Sequence, residues 1–286
     1  MHLDVVDLRK FYYGTGLGRI AQACIRDRLH KLWPNVRGMT VVGFGFAAPF
    51  LRPFREGAAR VLCLMPAQQG VCPWPAEGPN LSVLVEETLW PLARGSADRI
   101  LVAHGLETCE RPHALLGEIG RVLAPGGKAI FLAPNRAGIW ARRDATPFGY
   151  GRPYSATQLE KALEAHDFSV ERETAALYLP PSHRRFWLRL GPVIERIGQR
   201  LDWQALAGVS IVEATKLLYI TPRGTAAEAS RAPLRVLDKL RPVAGPKTPT
   251  RFAAGAAESA RQAPRPARKG APRPSPLPRR SNNANG

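Results

Sequence analysis

Between residues 39 and 220 the chain alternates short apolar runs with longer stretches whose apolar residues recur every three or four positions. Runs of that length, rich in Val, Leu and Ile, read as strands buried on both faces, and their alternation with helices marks βαβ units around a mainly parallel sheet. The pattern predicts strands at 39–44, 59–65, 81–86, 98–104 and 128–133, with closing strands at 168–176 and 210–220. Helical spacing predicts 17–32 through Leu17, Ile20, Ala21, Cys24, Ile25 and Leu29, a short helix at 50–56, and 112–123 through Leu115, Leu116, Ile119, Val122 and Leu123. Two further helices are predicted at 156–165, where Ser155 can cap the first turn, and at 183–201. The last sets Arg184, Arg185, Arg189, Arg196 and Arg200 against Phe186, Trp187, Leu190, Val193, Ile194, Ile197 and Leu201. That composition suits either an interfacial, anion-binding helix or a cover for the sheet.

Composition changes the picture at one end. The 286 residues are 45% hydrophobic, enough for one good core. From Pro222 onward, however, 14 Lys/Arg face 3 Asp/Glu, a net +11 of the whole chain's +18, and 11 of the 27 prolines fall there. Such a segment buries too little apolar surface to offset its ordering entropy, so a folded domain at 1–221 is expected to carry a disordered Pro/Ala/Arg-rich basic tail at 222–286. Charge of that density attracts polyanions, which makes the tail a candidate for weak contact with nucleic acid or an anionic surface. Cys24, Cys63, Cys72 and Cys109 form no C-x-x-C pair, so structural thiols in a reducing compartment are expected, with neither disulfides nor a metal site. The first residues lack a basic, then apolar, leader, and no run of about 18 apolar residues occurs, so a soluble, cytoplasmic protein without a transmembrane segment is expected.

The chemistry is carried by residues 89–134, LWPLARGSADRILVAHGLETCERPHALLGEIGRVLAPGGKAIFLAP, where a turn, a strand, a helix and a glycine-led second strand follow in order. This resembles the second half of a class I S-adenosylmethionine-dependent methyltransferase, of the methyltransferase type 11-like group. The usual form there is LPF…S-F-D-x-V…H-x-x-E-H…L-x-E-x-x-R-V-L-x-P-G-G. The resemblance implies an α/β fold with a Rossmann-like seven-stranded sheet, helices on both faces, and an N-terminal helix over the site. It also implies S-adenosyl-L-methionine as cofactor. In VVGFGFAAPF it places Gly43, Phe44, Gly45 and Ala47 in the cofactor loop, Met65 at the end of the second strand, Glu86 and Glu87 near the adenine, and His104, with Glu107 three residues on, beside the methionine part.

The chain departs from the family pattern where the family has acids. Val42 or Gly43 replaces the one near the glycine turn, and Leu62-Cys63-Leu64-Met65-Pro66 ends without the carboxylate that would hold the ribose hydroxyls. Charge-assisted hydrogen bonds of that kind contribute about 1.5–3 kcal/mol, roughly a ten- to hundredfold in affinity, unless Ala67-Gln68-Gln69 supplies other acceptors. The family's second histidine is replaced by Thr108 or Cys109. On the acceptor side Asn135, Arg136 and Trp140 are the candidates, followed by Arg142, Arg143, Phe148, Tyr150 and Arg152 on a loop after the fifth strand.

Methyl transfer from a sulfonium is an in-line displacement in which the protein aligns the reactants and excludes water, so no protein nucleophile is required. His104 or His183 could serve as a base, and neither is singled out by its neighbours in sequence. The acceptor, a small molecule or a macromolecule, is unknown from sequence. The alternative is a methyltransferase fold without catalysis, acting as a binding or regulatory protein with a nucleic-acid-binding tail. The enzyme expectation requires an open hollow beside Gly45 that Phe44, Phe46 and Met65 do not fill.

Overall fold

A computed structural model describes residues 3–142, 146–201 and 203–217. All of these belong to one compact unit, Met1–Pro222. Arg143, the end of the last predicted strand and the predicted tail lie outside the described residues. In chain order the elements are α1 (Val5–Arg9), a π-helical turn (Lys10–Gly14), α2 (Gly16–Leu32), β1 (Thr40–Gly45), α3 (Ala48–Leu51), β2 (Arg60–Pro66), β3 (Ser82–Val85) and β4 (Ala97–Ala103). They continue with α4 (Pro112–Val122), β5 (Leu123–Pro134), α5 (Ala156–Glu164), β6 (Phe168–Ala176), α6 (Arg185–Arg200) and β7 (Val209–Lys216).

The seven strands form one sheet in the order β3-β2-β1-β4-β5-β7-β6. The strands from β1 to β5 pair in parallel, whereas β7 runs antiparallel between β5 and β6. Register puts Gly43 opposite both Cys63 and Leu101, and Phe131 opposite Val212. Strand order reverses between β1 and β4, and a doubly wound sheet opens a crevice at the carboxyl ends of the two strands flanking such a reversal.

Strand alternation divides β1 between two cores, Val41 facing one and Val42 the other. Leu17, Ile25 and Leu29 of α2 join Phe46, Phe50 and Leu51 on the first face. Leu115 and Ile119 of α4, with Leu159 and Leu163 of α5, cover Phe131 and Phe168 on the second. Ser155 caps α5 in a capping box with Gln158, as its position promised.

Besides β5, which begins at Leu123 rather than at Lys128, two features differ from the pattern-based expectation. The helix expected at 50–56 is the single turn α3 followed by a 3-10 turn, Arg52–Phe54. Pro53 cannot donate a backbone hydrogen bond, and its ring crowds the carbonyl of Pro49, which stops the α-helix there. The second difference is at the start of the chain. Residues 3–14, for which the pattern predicted nothing, fold into α1 and the π-helical turn and bury Leu3, Val5, Leu8, Phe11 and Tyr12.

Candidate functional site

At the switch point the chain leaves β1 through Gly45, whose φ of 75° is in the region open to glycine. The turn is tight because Phe46 N–H donates to the carbonyl of Ala103 at the end of β4 (2.8 Å). A Cβ at Gly45 would stand 2.3 Å from that oxygen. His104 follows at once and is itself left-handed, with φ 51°, a conformation that costs a non-glycine residue of order 1–3 kcal/mol and persists where surroundings enforce it. Those surroundings are explicit. His104 Nδ1 meets the Glu107 carboxylate at 3.1 Å, Nε2 meets the Tyr12 hydroxyl at 2.6 Å, and the His104 carbonyl accepts from the Gln69 amide.

A Glu107 carboxylate facing Nδ1 selects the tautomer with the proton on Nδ1, which leaves Nε2 to accept from Tyr12 O–H. Burial, and then the Glu107 charge, push the Tyr12 phenol well above its ordinary range, so it remains a donor. One Glu107 oxygen, Oε2, has no hydrogen-bond partner although buried.

The same contacts close the crevice. The Tyr12 ring stacks on Phe46 at 6.0 Å and meets Phe50 edge-on at 5.4 Å, while Phe148 lies 4.9 Å from His104. The Gln69 side-chain amide spans from His104 to the Thr108 hydroxyl (3.0 Å), and the Gln69 backbone carbonyl accepts from Val5 N–H (2.8 Å), tying the N-terminal segment across the strand ends. Tyr12, Phe46, Met65, Gln69 and His104 are all 5% exposed or less. These side chains pack against one another beside Gly45, and a cavity of about 290 Å³ next to the same loop is lined by Tyr13, Phe46, Ala48, Arg52, Cys72 and Trp74. The expected N-terminal cover exists, but the segment ahead of α2 supplies it, and it reaches into the hollow.

The remaining predicted cofactor residues are dispersed. Phe44 points to the opposite core and stacks on Trp90 at 4.9 Å. Ala47 accepts from Phe50 and Leu51 N–H at the start of α3. Met65 Sδ accepts from Cys72 N–H. Glu86 is exposed and pairs with Arg111 at 3.6 Å. Glu87 is buried, and its Oε2 accepts from the Cys109 thiol and Glu110 N–H. Burial and the Glu87 charge push the Cys109 thiol up to about 12, and burial pushes Cys63 to about 12 as well. Both are inert thiols at neutral pH.

On the acceptor side a cavity of about 570 Å³ is lined by Arg136, Gly151, Arg152, Pro153, Tyr154 and Gln158. Its loop is fastened to the histidine–glutamate pair by Arg152 N–H, which donates to the Glu107 carbonyl at 2.8 Å. Asn135 and Trp140 are not brought to this cavity. The Asn135 amide donates to the carbonyls of Gln204 and Ala207, and Trp140, fully buried, donates to the Leu179 carbonyl. His183 lies in another cavity, with Phe11, Thr146 and Tyr150 among its lining. Among the described residues no group of three or more His, Cys, Asp or Glu side chains could hold a metal ion, and no helix is long and apolar enough to cross a membrane.

Sequence reasoning passed over Tyr12 and the amide of Gln69 as a tie. The L-x-E-x-x-R pattern, here Leu116 to Arg121, has a structural reason. Glu118 accepts from Trp90 N–H and from Arg121 through two bonds, each 2.7 Å, clamping the Trp-Pro-Leu turn to α4.

Residues 41–131 match the family described as a methyltransferase domain. No curated protein matches the sequence. Among solved structures, the S-adenosylmethionine-dependent methyltransferase from Mesorhizobium loti superposes with a TM-score of 0.50 at 16% identity, covering 66% of this chain and 96% of its own. The methyltransferase in complex with the Haloferax volcanii Trm112 methyltransferase activator superposes with a TM-score of 0.52 at 16% identity, covering 71% and 92%. The matched segment spans β1 to β5, the half that carries the glycine turn, His104 and Glu107. Residues 41–131 thus match a methyltransferase domain, in a chain that has the fold of S-adenosylmethionine-dependent methyltransferases.

Proposed function

We propose that the protein is an S-adenosylmethionine-dependent methyltransferase whose N-terminal segment closes the cofactor crevice at rest, and that the acceptor is anionic. The single observation behind the enzyme reading is the methyltransferase-domain match over residues 41–131, which falls on the strands that build the switch point. The acceptor reading rests on Arg136 and Arg152, which share a cavity attached to Glu107. When bound, the cofactor supplies the transferable methyl group. Withdrawal of Tyr12 frees His104 Nε2, and Glu107 holds the other ring nitrogen protonated, so Nε2 is the atom that can take a proton from an acceptor hydroxyl or amine.

Displacing Tyr12 forfeits about 1.5–3 kcal/mol of ring burial and about 1 kcal/mol of hydrogen bond, so closure weakens cofactor binding on the order of a hundredfold. Apparent affinity falls with the fraction of molecules that are open. Calorimetric titration with S-adenosylmethionine should therefore give a Tyr12→Ala variant that binds at least tenfold more tightly than the unaltered protein.

A second reading is a methyltransferase fold that binds a partner without catalysis. The closed crevice and the missing carboxylates favour it. Under that reading neither protein takes up cofactor at millimolar concentration, although circular dichroism finds both folded.

A further inference from the structure

Only part of the apolar side of α6 packs, through Leu188 and Ile194 against the first core. Gly191 sits against Ile20 and Leu179, Gly198 against the Tyr178 ring, and buried Glu195 accepts Leu177 and Tyr178 N–H. The helix is thus seated through Gly191, Gly198, Leu188 and Ile194, which leaves a further apolar stripe outward. Phe186, Val193 and Ile197, with Leu201 after them, are 64, 50, 48 and 51% exposed. Their spacing of i, i+7, i+11 and i+15 keeps them in one stripe, because successive residues turn by about 100°. Beyond the helix, Trp203 and Leu206 add exposures of 51 and 55%.

Beside this stripe runs a second. Arg185, Arg189, Arg196 and Arg200 occupy i, i+4, i+11 and i+15, each one residue ahead of the apolar series or in line with it. All four are exposed, and none joins an ion pair among the described residues.

We propose that α6 and the turn after it dock onto an anionic lipid bilayer. The apolar stripe enters the head-group layer and the arginines meet lipid phosphates, the arrangement of helices that lie in a membrane interface. Charge decides against the other occupants. A second copy docked through the same face would bring arginine stripe against arginine stripe. The segment after Pro222 carries a net +11, the same sign as those arginines. A nucleic acid would satisfy the arginines and leave Phe186, Val193, Ile197 and Leu201 in water.

The test is co-sedimentation of the full chain with vesicles of phosphatidylcholine and phosphatidylglycerol. An Ile197→Ser/Leu201→Ser variant keeps every positive charge, those after Pro222 included, and is expected to partition at least tenfold more weakly. Arg189→Glu/Arg196→Glu should do the same, and pure phosphatidylcholine vesicles should retain little of the unaltered protein. Circular dichroism establishes that each variant is folded, and Phe186→Ser replaces any that is not.

Partition of the serine variant within twofold of the original would overturn the proposal, since charge elsewhere in the chain would then account for the binding. Loss of duplex DNA binding in the arginine variant with vesicle binding unchanged would also overturn it, in favour of nucleic acid. So would a dimer in sedimentation that the serine variant dissolves.

Discussion

Gly45 shows how one residue can answer to two demands. A glycine in a cofactor loop is ordinarily explained by ligand approach, yet here the close neighbour is backbone, the Ala103 carbonyl and Gly105. Gly45→Ala combines a left-handed backbone with an overlap that no flexible side chain can relieve, so a destabilisation of about 3 kcal/mol or more is expected. Thermal melting checks it, with the midpoint falling by roughly 6–12 °C in a domain of this size. An unchanged midpoint would mean that the turn relaxes and that the glycine serves only a ligand. The residues around it differ in how readable they were. His104 and Glu107 sit three apart in the H-x-x-E part of the family pattern, so the resemblance exposed them. Tyr12 meets His104 across 92 positions, in a segment without helical or strand periodicity, and no local signal could pair them.

At the scale of elements, the strands were legible because burial on both faces leaves continuous apolar runs, and β6 begins and ends where the pattern placed it. The first turns of the chain were not, since α1 is five residues long and is held by docking rather than by its own propensity. The clamp between α4 and the turn before β4 offers a pH test. The Arg121 guanidinium, and to a lesser degree Trp90 N–H, hold the Glu118 carboxyl below the usual carboxylate range against the opposing effect of burial. A carboxyl lowered on folding stabilises above its unfolded value of about 4.3, and that contribution is lost as pH falls through the folded value. Glu118→Gln should thus cost about 1–2 kcal/mol at pH 7 in urea unfolding, with the deficit shrinking below pH 4. Glu195 slopes the other way. Burial raises its carboxyl, so its contribution is lost as pH rises through the folded value, and a deficit at Glu118 that grew in acid would contradict the clamp.

At the scale of the molecule, one sheet carries two cores that share no buried apolar side chain. Whether they melt together depends on the coupling through β1, β4 and β5, whose alternate residues feed both faces. The closed crevice strengthens the first face by adding the N-terminal segment to it, so a fold in which that face stood alone would lose the second face first. We expect instead a single transition. Leu17→Ala on α2 and Leu163→Ala on α5 each empty a fully buried site on opposite faces and should each cost about 2–5 kcal/mol. Because the sites share no neighbours, the double variant should lose the sum to within about 0.5 kcal/mol. Tryptophan fluorescence reports on the first core through Trp33, Trp74 and Trp140 and on the second through Trp90, and far-ultraviolet circular dichroism reports on all helices. Coincident urea curves from the two probes, shifted alike by either substitution, are the expected result. Curves that separate in the Leu163→Ala variant, with helix signal lost before fluorescence changes, would show that the faces unfold independently and that the N-terminal segment stabilises only its own.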